Sequence, residues 1–201
     1  MTARTQRPSA NQTRESILAA AKALFLEHGF DGTQIKDIAK TAKVNTNLIF
    51  HHFTNKETLW NTVRDQCMGS NIPQPNYDLS NGRAFFKSIL DYRFHIYNDN
   101  PEFTKLIKWG SLASQEQDLV SQECYSPTHW LPLIKELQEN NDINKKIPPK
   151  QIMLFIIFSS HAPFWQDVIP FGKKDTEAYK IMLIDMCCQQ FLTHSLSKQT
   201  A

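Results

Sequence analysis

DGTQIKDIAKTAKVNTNLIFHHFTNKETL, residues 31–59, holds two short apolar-periodic segments separated by a break. In the first, Ile35, Ile38 and Ala39 share a helical face, and Thr33 is the expected N-cap. Ala42, Lys43 and Val44 interrupt the pattern. Asn45 then caps TNLIFHHF, where Leu48, Ile49 and Phe53 can pack inward. Upstream, RESILAAAKALFLEHGF places Ile17, Ala20, Ala21, Leu24 and Phe25 on one face, with Thr13 as its expected cap and Gly29 as its stop. Phe30 is expected to fold back onto this helix. Three helices in about fifty residues, the last two joined by a tight turn, predict a helix-turn-helix.

His51 and His52 are the odd residues of this stretch. Adjacent helical side chains diverge by about 100°, and no Cys, Asp or Glu stands at ligand spacing, so no metal site is expected. They suit contact with a negatively charged partner better. Thr46, Asn47 and His51 project away from the inward residues. An Asn amide matches the edge of adenine, and a Thr offers a hydroxyl or a methyl. His52 points elsewhere, toward a phosphate, with simple packing at the helix end as its alternative. Thr33 and Gln34, beside a helix N-terminus, would offer backbone N–H groups and polar side chains to another phosphate. Lys56 is a further phosphate candidate, or a plain solvated lysine. Arg4 and Arg7 could trail along the DNA backbone or in its minor groove.

Charge supports this placement. Net charge is only +2, but residues 1–56 carry 8 Lys/Arg against 4 Asp/Glu, while the remainder carries 14 against 16. The positive charge sits where a phosphate partner is expected. Hydrophobic residues at 41% and charged residues at 21% describe a globular chain rather than a disordered one. The four cysteines, Cys67, Cys124, Cys187 and Cys188, form no CxxC pair and fit buried reduced thiols in a cytoplasmic protein. MTARTQRPSANQT lacks the apolar core of a signal peptide, and IMLFIIF is far shorter than the roughly 20 residues a bilayer span needs, so no membrane association is expected.

Residues 31–59 also resemble the TetR family of transcriptional regulators. The resemblance runs from about Arg14 to Leu59 and rests on Thr33, Ile38-Ala39, Ala42-Lys43-Val44, Ile49-Phe50, His52-Phe53 and Lys56 to Leu59. Two positions depart from the family pattern. Lys43 replaces the usual turn glycine, and Phe50 replaces the commoner tyrosine with its phosphate hydrogen bond. The resemblance implies DNA binding through Thr33, Gln34, Thr46, Asn47, Phe50, His51, His52 and Lys56. It also implies a homodimer on double-stranded operator DNA and a C-terminal domain that binds an inducer and pairs through its last two helices.

The expected fold is all-α, with about nine helices. Residues 1–56 form the helix-turn-helix domain, 57–201 the helical ligand-binding and dimerisation domain, and 54–68 the connecting helix. Thr54 or Asn55 caps that helix. GSNIPQPNYDLSNG, residues 69–82, marks a boundary. Later helices start at Pro101, after Ile147 and at an Asp175 cap, and Pro163 kinks or ends the one that begins after Ile147. Phe86, Tyr92, Phe94, His95, Trp109, Tyr125 and Trp130 are candidate walls for a small, mostly apolar or aromatic ligand, each also a core candidate. The helices from Gln151 and from Glu177 look apolar almost all round, which suits an intersubunit four-helix bundle through Ile152, Phe155, Phe158, Ile181, Ile184, Cys188 and Phe191, or an intrachain core. His95, Cys124, His129, His161 and Asp167 match no catalytic motif, so neither an enzyme nor a cofactor is expected. A lone histidine among apolar residues is usually a satisfied core or pocket residue. A helical protein-interaction module with weak or vestigial DNA binding remains the alternative function.

Overall fold

The computed structural model describes residues 9–68, 75–112, 129–165 and 171–193. Among them are nine helices: α1 (Ala10–Gly32), α2 (Ile35–Ala42), α3 (Thr46–His52), α4 (Lys56–Met68), α5 (Gly82–Asp99), α6 (Pro101–Leu112), α7 (Trp130–Glu139), α8 (Pro149–Trp165) and α9 (Lys173–Phe191). The described residues contain no strand beyond a single antiparallel bridge, Ile143 to Leu192. The all-α expectation holds.

The helices pack as two compact units. The first contains α1 to α4 together with α6. Its core joins Ile17, Ala21 and Phe25 of α1 to Ile38 of α2, Ile49 of α3 and Trp60 of α4, with Leu106 of α6. The Phe25 and Trp60 rings meet edge to face at 4.9 Å, a favourable aromatic geometry. Phe30 does fold back, onto Phe25 and Trp60. The second unit contains α5 and α7 to α9. Packing therefore groups α6 with the N-terminal helices, although it lies far beyond residue 56 in sequence.

Several helix ends differ from expectation. α1 starts one turn earlier than Thr13, at Ser9. There the Ser9 hydroxyl accepts from the Gln12 N–H and the Gln12 side chain accepts from the Ser9 N–H, a reciprocal capping box. Gly29 breaks α1 at φ 70°, ψ −174°, a region essentially reserved for glycine, and the chain makes one more helical turn to Gly32. Asp175 is not the N-cap of α9. Gly172 is, and the Asp175 carboxylate accepts its N–H at 3.0 Å from inside the first turn. Asn55 does cap α4, accepting from Thr58 N–H at 2.7 Å.

Pro163 stays inside α8. A proline has no N–H to give the carbonyl four residues back, which here is that of Ser159. The Tyr179 hydroxyl of α9 donates to that carbonyl at 2.9 Å. The helix defect thus becomes an anchor between α8 and α9.

The turn between α2 and α3 carries Lys43 at φ 56°, ψ 40°, the left-handed region. Its N–H donates to the carbonyls of Ala39 and Lys40. A side chain in this conformation costs about 1–2 kcal/mol, whereas glycine adopts it freely at some entropic cost in the unfolded chain. Lys43→Gly is therefore expected to stabilise the protein by about 1 kcal/mol. Thermal unfolding checks this. A lower melting temperature for the glycine variant would show that the lysine side chain repays the strain through another contact.

Candidate nucleic-acid interface

α3 is short, and its orientation comes from its ends and its inner face. Asn45 caps it, its side-chain oxygen accepting from Leu48 N–H at 2.8 Å. Ile49 and, just past the C-terminus, Phe53 are buried in the first core. The Arg14 guanidinium of α1 lies 5.1 Å from the centre of the Phe53 ring. With those residues inward, Asn47, Phe50 and His51 face outward and are exposed. Their i, i+3, i+4 spacing puts them on one side of the helix. Thr46, one turn before Phe50, is half-buried. Phe50 keeps 49% of its surface exposed, unusual for a phenylalanine with a core nearby. His52 is half-buried, its ring edge-on to His51 at 5.4 Å. Among the described residues no group of His, Cys, Asp or Glu could hold a metal.

The structure treats the other polar candidates unequally. Thr33 is buried, and its hydroxyl donates back to the carbonyls of Gly29 at 2.7 Å and Leu24 at 3.1 Å. It closes the end of α1, not the start of α2, so its side chain is not displayed for a phosphate. Gln34 is the N-cap of α2, extended and exposed, and makes no capping bond of its own. Lys56 is half-buried with its ammonium 4.2 Å from the centre of the Phe30 ring. Burial, opposed by Asp31, lowers its pKa from the ordinary lysine value. Arg4 and Arg7 lie outside the described residues.

The ligand-wall candidates scatter. Phe86, Phe94 and Trp130 belong to the buried core of the second unit. Tyr92 is half-buried on the same helix as Phe86. His95 points the other way: it is exposed, 3.1 Å from Asp99. Trp109 belongs to the first unit, where its indole N–H donates to the Leu26 carbonyl at 3.2 Å and its ring covers Gly29. Tyr125 lies outside the described residues, as does Cys124. The pairing candidates divide by helix face. Ile152, Ile184, Cys188 and Phe191 are buried in their own unit and Phe155 is partly buried against it, whereas Phe158 and Ile181 stand exposed at 62% and 52%. Exposed Leu154, Met182 and Met186 accompany them. α9 is not apolar all round, since Glu177, Gln189 and Gln190 are exposed too. Cys67 is partly buried, and Cys187 and Cys188 are buried, all three as free thiols; burial pushes the Cys187 thiol up to about 12. No helix among the described residues is long and apolar enough to cross a membrane.

Sequence reasoning passed over Arg93 and Ser160, which meet His161 inside the second unit. A signal existed: Arg93 interrupts the aromatic run FFKSILDYRFHIY.

A short capped helix, held by one face and offering amide, imidazole and aromatic groups on the other behind a tight turn, defines a helix-turn-helix protein. Residues 17–63 match the model for bacterial regulatory proteins of the tetR family, so the chain carries an N-terminal segment of that kind. It is 25% identical over 166 residues to the HTH-type transcriptional repressor SCO4008 of Streptomyces coelicolor, covering 81% of this chain and 82% of that one. It is 30% identical over 106 residues to the HTH-type transcriptional repressor NicS of Pseudomonas putida, covering 51% of this chain and 50% of that one. A TetR family transcriptional regulator from Pseudomonas syringae superposes with a TM-score of 0.68 at 19% identity, over 90% of this chain and 98% of that one. That likeness shows the fold. The named relatives are transcriptional repressors rather than enzymes.

Proposed function

We propose that this chain is a homodimeric cytoplasmic repressor that binds a palindromic operator and leaves it when a small molecule occupies the C-terminal helices. The observation that carries this is the outward face of α3: Asn47, Phe50 and His51 together, opposite buried Ile49. In a major groove, Asn47 would meet adenine and the Phe50 ring a thymine methyl, while His51 would donate to a base or phosphate oxygen. Phe50 would then supply an apolar contact where a tyrosine would give a hydrogen bond. Gln34, His52 and Lys56 would hold the backbone and set register without sequence information.

A single small head binds one half-site weakly, whereas a two-fold dimer sums two half-sites. Exposed Leu154 and Phe158 of α8, with Ile181, Met182 and Met186 of α9, support pairing through these helices. The relatives named as repressors support repression as the sense of the response. The two domains proposed are residues 1–56 for DNA and 57–201 for ligand and pairing, with α4 between them.

Selection of bound duplexes from a random library tests the proposal. An enriched palindrome with half-sites about one DNA turn apart, roughly 34–36 Å, is expected. A clean dimer that enriches nothing would contradict it and favour the protein-interaction alternative, for which an exposed aromatic such as Phe50 is equally suited.

A further inference from the structure

The second unit contains a buried cation with no counter-charge among the described residues. Arg93 of α5 is 3% exposed. Its Nε donates to the Ser160 hydroxyl at 2.7 Å, and one terminal nitrogen donates to His161 Nε2 at 3.0 Å. Its guanidinium lies 5.2 Å from the ring centres of both Tyr97 and Trp130. No carboxylate among the described residues pairs with it. A guanidinium offers five N–H donors, and these contacts use only part of them.

His161 sharpens the imbalance. It is 6% exposed. Burial first, then the neighbouring Arg93, holds its pKa down to about 2, so the ring is neutral. Its Nε2 faces two donors, Arg93 and the Tyr97 hydroxyl. Accepting there places the ring proton on Nδ1. Nδ1 is buried and has no partner; nor has the buried indole nitrogen of Trp165, whose ring stacks on His161 at 4.0 Å. Among the described residues the cluster therefore has a positive charge and spare N–H donors, with no acceptor left over.

We propose that Arg93, His161 and Trp165 bind the carboxylate of a small organic acid, and that this acid is the effector. The inference rests on the ligand-responsive function proposed above. An uncompensated buried charge costs several kcal/mol, and a carboxylate would remove that cost while occupying the idle donors. Arginine and carboxylate match in geometry as well as in charge. One cation calls for one negative charge, so a monocarboxylate fits better than a phosphate dianion, for which the cluster has no second cation. Tyr97, Trp130 and Phe164 supply aromatic surface for an apolar or aromatic body.

The test uses the full chain with benzoate, phenylacetate, indole-3-acetate and octanoate, each against its primary amide, read by thermal shift and by release of the selected operator. At least one acid is expected to raise the melting temperature well above its amide and to release DNA. Arg93→Gln, which loses no counter-ion, is expected to fold and to bind that acid about 10- to 100-fold more weakly, with the amide response unchanged. If this variant does not fold, the acid-against-amide comparison on the unaltered protein decides alone. Acids no better than their amides, or full acid binding by Arg93→Gln, overturn the proposal. An acid that stabilises the protein without releasing DNA removes the effector role. An amide that releases DNA while no acid does overturns the acid site and leaves ligand response standing.

Discussion

Gly29→Ala is expected to lower the melting temperature by roughly 6–12 °C, a loss of about 3 kcal/mol for a chain of this size. Two independent costs add at this position. The backbone holds φ at 70° with an extended ψ, where a Cβ is strained by about 1–3 kcal/mol. A Cβ built there would also lie 2.7 Å from Cε3 and 2.8 Å from Cδ2 of Trp109. The indole cannot easily yield, because its N–H is tied to the Leu26 carbonyl. Such overpacking costs about 1–3 kcal/mol. The neighbouring Thr33 bond to the Gly29 carbonyl would shift with it. Differential scanning calorimetry checks the effect, and a melting temperature within about 2 °C of the parent would mean that the kink is not a packing requirement.

Phe158→Glu is expected to convert the proposed dimer to monomer without unfolding either copy. Phe158 is 62% exposed within its own chain, so a glutamate there meets water in the monomer. In the proposed pairing it would be buried beside apolar residues with no cation to meet it. An unpaired buried charge costs about 3–5 kcal/mol, a weakening of roughly 10²- to 10³-fold or more in dimer affinity. Sedimentation of the variant across concentration, with circular dichroism on the same sample, separates the two effects. An unchanged dimer would place the interface elsewhere, and lost helicity would show that Phe158 serves the fold of its own chain.

Periodicity made the helices legible, because burying one face leaves a repeat near 3.6 residues in the chain. It made the outward face of α3 legible for the same reason: once Ile49 and Phe53 point inward, Asn47 and His51 must point out. Chemistry that two local roles share was not legible. A threonine between helices can cap the next one or close the last, and Thr33 closes the last. Asp175 was misplaced similarly, since an acidic side chain near a helix start can sit at the cap or one turn inside it. A helix apolar on most sides gives no phase, so Ile152 and Phe158 looked equivalent although one is buried in its unit and the other is exposed. Trp109 parts from the other aromatic candidates for a topological reason. Nothing in the pattern around Trp109 says that α6 packs onto α1 and α4. His161 is buried, as a core or pocket residue would be, yet one of its nitrogens has no partner, which no sequence pattern announces.

The most direct measurement is a titration of the selected operator duplex, and of a scrambled duplex, with the parent protein and the Asn47→Ala/His51→Ala variant. Both positions are exposed, so fold and dimer mass should match the parent. Operator affinity is expected to fall by at least about tenfold, since each lost base contact is worth about 1–3 kcal/mol, while binding to the scrambled duplex changes little. Equal operator affinity in parent and variant would contradict the assignment of α3 as the element that recognises sequence.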